Sequence, residues 1–307
     1  MRLLKKLTAS LIIAMLLVPI FSTPIAAQNS YEATIKAWRD KREQELRSDT
    51  GWLTVTGLFW LQEGANSVGS APANHILLPA TALAKVGAFI FRNGKTVLRV
   101  EKGVTVLVND KPVTETELKF GGKDQKPDIV TLGDLSLQVI KRGGRYGVRL
   151  KDKNSRERRE FTGLRWFPVA ESYRLTATYV AYPQPKEIEI VNILGQVEKM
   201  ASPGYVTFTL NGKEHRLEPV TEEQQLFFIF RDLTSNKTTY PAGRFLYSDL
   251  PQNGKVILDF NQAINPPCAF TEFATCPLPP PQNWLKVAIE AGELAYHTEK
   301  AAKNRQD

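Results

Sequence analysis

The sequence predicts a mainly β protein of two antiparallel modules behind one N-terminal helix. The first module reads as a sandwich, the second as a barrel or sandwich. Short runs of β-branched and aromatic residues recur at strand length from Trp52 to Phe260. Polar turn pairs such as Asn109-Asp110, Gly133-Asp134, Gly143-Gly144 and Asn211-Gly212 separate those runs. Helical spacing of apolar residues is clear once, near the N-terminus.

Residues 1–27 read as a secretory signal. Arg2, Lys5 and Lys6 precede the apolar stretch Leu7 to Phe21, and Ile25-Ala26-Ala27 offers a cleavage end. A retained membrane anchor is the alternative, but the apolar run is short for a span. The expectation is an exported chain, periplasmic or extracellular, with no stable membrane span after signal removal. Losing Arg2, Lys5 and Lys6 lowers the formal charge from +8 to +5. That balance is too weak to argue for a nucleic-acid partner. A chain of this length can bury a large core.

Residues 28–50 hold the helix, running from about Ser30 to Leu46. Ser30 is its expected cap, Tyr31, Ile35 and Trp38 its buried face, and Arg39 to Arg47 its water face. Residues 51–158 form the sandwich module. Strands are expected at Trp52–Leu61, His75–Leu78, Ala88–Phe91, Thr96–Val100, Val104–Val108, Ile129–Leu132, Leu135–Ile140 and Tyr146–Leu150. The charged stretch Lys151 to Glu160 marks the boundary. Residues 159–296 form the second module, with strands at Tyr173–Tyr182, Glu187–Val191, Val206–Leu210, Arg216–Val220, Leu226–Phe230 and Val256–Phe260. Alternation at Leu285, Val287 and Ile289 predicts a final strand ended by Gly292, and residues 297–307 form a polar tail.

The segment Asp259 to Asn283 stands apart. It holds both cysteines and six of the nineteen prolines. Proline fixes its own torsion and lacks a donor, so this run suits neither a helix nor a central strand. Export favours a disulfide between Cys268 and Cys276; two buried thiols are the alternative. Two cysteines and three scattered histidines, His75, His215 and His297, show no metal-ligand spacing. No metal or other cofactor is implied.

The nucleophile elbow, phosphate-binding glycine loop and His-Glu-x-x-His motifs are missing. Arginines crowd one region, from Arg142 to Arg165. Strand alternation puts Arg145 and Arg149 on one face, a geometry suited to a carboxylate or phosphate, or to a solvated sheet face. A second polar cluster joins Arg231-Asp232, Tyr240, Arg244, Asp259, Asn261 and Asn265. Such residues at strand ends suit a site, or equally a set of pinned loops. Dense aromatics, Trp166 and Phe227 among them, are mostly core, with some free to line a pocket for a sugar face.

The stretches GWLTVTGLFWLQEGANSVGS, RYGVRLKD, FTGLRWFPV, TYPAGRFLY and DFNQAINPPCAFTEFATCPLPPPQN, with AIEAGE after them, resemble the bacterial domain-of-unknown-function family 1684. The likeness runs from about residue 31 to 296 and implies no activity. Residues 64–150 weakly resemble a forkhead-associated-like sandwich, through Gly64-x-Asn66-x-x-Gly69, His75 to Pro79 and Val108 to Lys111. Ser70 stands where that family's phosphothreonine-reading arginine would follow the glycine, so phosphopeptide binding is not implied.

The leading expectation is a binding module for a small or glycan-like anionic ligand. Arg244, Arg149, Arg165, Tyr240, Asn261 and Asn265 are the candidate contacts. The alternatives are a hydrolase with Asp259 as acid or base and Tyr240 beside it, and an envelope scaffold presenting an apolar patch.

Overall fold

The structure is a computed structural model that describes residues 24–121 and 125–296. Most of the expected signal segment, the polar tail and His297 lie outside the described residues. Among the described residues, no helix is long and apolar enough to cross a membrane.

The N-terminal helix spans Pro24–Arg47. It starts before the expected Ser30, which therefore lies inside it and does not cap it; its carbonyl accepts from Thr34 Oγ1 at 2.9 Å. Proline suits a first helical turn, where the missing donor has no partner to lose. Ile35 and Leu46 are buried, and Tyr31 and Trp38 partly so. The expected water face is corrected in part. Arg39 donates to Phe167 O at 3.0 Å and stacks on Trp166, Glu43 accepts from Leu164 N at 2.8 Å, and Arg42 reaches Glu293. The helix is thus pinned to the body by polar side chains as well as by an apolar stripe.

Residues 55–152 build two facing sheets. One has six strands, in the order Val55–Trp60, Arg145–Asp152, Leu135–Arg142, Val130–Leu132, Val106–Val108, Lys111–Val113. The other has five, in the order Ile76–Leu77, Gly64–Gly69, Gly87–Arg92, Lys95–Val100, Glu115–Leu118. Val68, Phe89 and Leu98 from one sheet meet Val106, Leu137, Val148 and Leu150 from the other in a single core. The strand Arg145–Asp152 is buried from Gly147 through Leu150. Val148 and Leu150 serve the sandwich core, so Arg149 must point to the opposite face.

A second β system follows. Arg174–Val191 and Val197–Leu210 form a long antiparallel ribbon, flanked by Lys255–Asp259 and Lys213–Leu217. What reads as two strands in the sequence, on either side of Pro183–Lys186, is one strand with an irregularity between Ala181 and Lys186. Asn211 and Gly212, at φ 53° and 72°, make the tight turn between two of these strands. A three-stranded sheet of Val220–Glu222, Gln225–Phe230 and Arg244–Asp249 packs against this one. Phe208, Phe228, Phe230, Leu246, Leu258 and Phe260 fill the space between them.

The expected final strand at Leu285 does not form. Its alternation is real, with Leu285 and Ile289 buried, but its backbone groups go to other partners. Leu285 N donates to Arg231 O, Val287 O accepts from Leu233 N, and the carbonyls of Ile289 and Ala291 accept from the Arg244 guanidinium. A buried side chain replaces the ladder.

Candidate functional site

A cavity of about 1290 Å³ lies where the N-terminal helix, the sandwich and the second β system meet. The helix supplies Trp38 and Arg42, the sandwich side Trp52, Arg142 and Arg149, and the second system Phe227, Phe245, Asp259, Asn265 and Cys276. Three of the expected site residues therefore share it: Arg149, Asp259 and Asn265.

Arg149 is only 7% exposed. Its guanidinium sits over the Trp52 ring at 4.9 Å, and its Nε and Nη2 have no hydrogen-bond partner. Those two nitrogens share one edge of the guanidinium, the edge that meets a carboxylate two-pronged. Burial, with Arg142 adding repulsion, pushes its pKa down to about 10. Arg145, expected to act beside it, stacks on Trp60 instead, so Arg142 is the neighbouring cation.

Asp259 ends its strand with both carboxylate oxygens 2.8 Å from the Tyr31 hydroxyl. Oδ1 also accepts from Asn261 N and Nδ2, and Oδ2 faces Gln262 Nε2 at 3.5 Å. Asn261, fully buried, spends its side chain on Ala170, Tyr31 and Asp259, so it holds the loop and is not a ligand contact.

Asn265 is fully buried. Its Nδ2 donates to Leu294 O, its N to Glu293 Oε2, and its carbonyl accepts from Arg42. Its Oδ1 has no partner. Behind it, Arg42 Nε meets Glu293 Oε1 at 3.0 Å. Gly292 makes this possible: at φ +82°, a Cβ there would fall 2.4 Å from Ala263 O. Only glycine lets the chain cross so closely and deliver Glu293. Burial raises the Glu293 pKa, opposed by Arg42 and by hydrogen bonds from Asn265.

Three other candidates lie outside the cavity, and two of them, Arg244 and Tyr240, are tied into the framework. Arg244 is 1% exposed, in a 2.6 Å ion pair with Asp232. Tyr240 donates to Cys268 O at 3.0 Å, and burial raises its pKa. Arg165 is exposed and donates to Ala295 O. The expected disulfide is also absent: Cys268 and Cys276 are free thiols, with Cys268 N 3.0 Å from Cys276 Sγ. Their mutual hydrogen bond lowers the Cys268 pKa and raises that of Cys276. Among the described residues, no three His, Cys, Asp or Glu side chains group as a metal site requires.

Sequence reasoning missed Tyr31 and Arg42 as site-building residues, and Glu293 altogether. The signals were present: Tyr31, Ile35, Arg42 and Leu46 fall on one helical face, and Glu293 follows a glycine.

Residues 159–294, which supply Asp259, Asn265 and Glu293, match the family described as "Protein of unknown function (DUF1684)". That segment belongs to the family. Among solved structures, the chain is similar to an uncharacterized protein of Haloarcula marismortui, at 31% identity and a TM-score of 0.38. That match covers 45% of this chain and 78% of the archaeal one. A chain from the crystal structure of the FhaA FHA domain complexed with the intracellular domain of Rv3910 also matches. It shows 19% identity and a TM-score of 0.22, over 31% of this chain and 97% of the other. No curated protein matches this chain.

Proposed function

We propose that this protein binds a small anionic ligand in the cavity, with the carboxylate or other oxyanion received by Arg149. One observation carries the reading: a guanidinium 7% exposed that borders the cavity and leaves Nε and Nη2 unpaired. Buried charge is ordinarily matched by an opposite charge, and Arg149 forms no ion pair with any described residue. A bound oxyanion supplies the missing acceptors. Calorimetric titration with acetate, sulfate, phosphate and glucuronate tests it. Saturable binding by at least one anion, lost in Arg149→Met, is the expected result. No binding by any of the four at millimolar concentration would overturn it.

A carboxylate-dependent hydrolase is the second reading, favoured by Asp259 on the same cavity wall. Asp259 Oδ2, whose contact beyond Tyr31 is the long one to Gln262, would serve as acid or base. Neither Tyr240 nor Asn261 supports the chemistry, since both are committed to loop contacts. We retain the reading of an exported chain, supported by the apolar stretch Leu7 to Phe21 behind Arg2, Lys5 and Lys6. Fractionation of the host cells with mass measurement of the protein tests that: a chain found in the cytoplasm with an unprocessed N-terminus would sink it.

A further inference from the structure

Asn265, which borders the cavity, holds a second unpaired polar atom, of opposite character to those of Arg149. Asn265 Oδ1 is buried and partnerless, and the Nδ2 bond to Leu294 O fixes which amide atom is the acceptor. Unlike Arg149, it asks for a donor. The same cavity carries the carboxylates Glu45, Glu198, Glu222, Asp249 and Asp259, which accept from hydroxyl groups, and five cations besides Arg149, Arg142 and Arg174 among them. Trp38, Trp52 and Phe245 add flat apolar faces. An anion anchor, several acceptors and aromatic walls together describe a polyhydroxylated acid.

Resting on the anion-binding reading above, we infer that the ligand is a hydroxylated carboxylic acid of the sugar-acid class. Its carboxylate lies on Arg149 and a hydroxyl donates to Asn265 Oδ1. A site with a buried acceptor rejects an analogue lacking the donor, because the acceptor is then left unpaired.

The test is calorimetric titration of the purified protein with glucuronate, with cyclohexanecarboxylate as the ring-matched anion without hydroxyls, and with glucose as the hydroxylated ring without the anion. Glucuronate is expected to bind about tenfold or more tighter than cyclohexanecarboxylate, the discrimination of one hydrogen bond. Glucose is expected not to bind. Asn265→Leu is expected to erase the preference for glucuronate over cyclohexanecarboxylate. If that variant does not fold, the wild-type comparison alone decides. Equal affinity for the two acids overturns this inference and leaves anion binding standing. Failure of both acids, with phosphate, sulfate and acetate also silent, overturns the anion-binding reading itself.

Discussion

The Tyr31 hydroxyl sits 2.8 Å from both carboxylate oxygens of Asp259, across 228 residues of chain. Asn261 Nδ2 donates back to that hydroxyl at 3.0 Å, so the three side chains form one closed network. It ties the N-terminal helix to the end of a strand at the cavity wall. Tyr31→Phe removes the shared hydroxyl and leaves a largely buried carboxylate short of a donor. The expected cost is about 1–3 kcal/mol in urea unfolding, with faster amide exchange along the helix. Unchanged exchange in Pro24–Arg47 would mean that the apolar stripe alone holds the helix.

Glu293 gives a pH signature. Burial raises its pKa in the folded state above the unfolded value of about 4.3. The folded state then holds its proton more tightly. This group's contribution is fully present below about pH 4.3 and is lost as pH rises through the raised value. Glu293→Gln lacks that component, so the difference between the two stability–pH curves is expected to display it. The amide of glutamine also offers only one acceptor for two donors, Arg42 Nε and Asn265 N. At neutral pH the variant should be less stable by roughly 1–3 kcal/mol. Parallel curves for the two proteins, measured by urea unfolding from pH 4 to 8, would refute the assignment.

Local rules made the fold legible and left the site only half so. Turn pairs such as Asn211-Gly212 and period-two alternation place most strands, because both act over a few residues. Alternation on Arg145–Asp152 correctly turned Arg149 away from the sandwich core. It could not say that another β system would cover that face and bury the charge. Arg244 and Asp232 looked like site residues for the same reason that they are framework: a polar pair among apolar strands is informative either way. The Leu285 strand failed because its backbone groups divide between Arg231, Leu233 and the distant Arg244 guanidinium, a competition that no local pattern records. Gly292 marks the position of Glu293, but its role depends on Arg42 from the opposite end of the chain, beyond the reach of any local pattern.

The two thiols carry a redox expectation. A hydrogen bond from the Cys276 thiol lowers the Cys268 pKa, and the Cys268 backbone N lies 3.0 Å from Cys276 Sγ. Diamide treatment of the folded protein should convert two free thiols into one intramolecular disulfide, read as the loss of two hydrogens by mass. Oxidation should stabilise the protein by up to roughly 2–3 kcal/mol, since the closed loop is short. Cys268→Ser should block the change. Two thiols still titrating after diamide would show that the sulfurs do not meet in bonding geometry.

Arg149 separates a binding role from a structural one by the sign of a stability change. A framework arginine such as Arg244 is expected to cost about 3–5 kcal/mol on truncation, because Asp232 is left as a buried, unpaired charge. Arg149 leaves no carboxylate behind, since none pairs with it, and its own unpaired nitrogens vanish with it. Arg149→Met keeps length and apolar contact with Trp52 while removing a buried charge whose burial already lowers its pKa to about 10. The loss of the stacking contact opposes this by about 1 kcal/mol. The net expectation is an unliganded protein at least as stable as wild type, gaining up to about 1–2 kcal/mol, and one that no longer binds an anion. A residue kept at a cost to stability is one that function requires. Thermal unfolding without ligand decides it: clear destabilisation by Arg149→Met would assign Arg149 to the framework with Arg244.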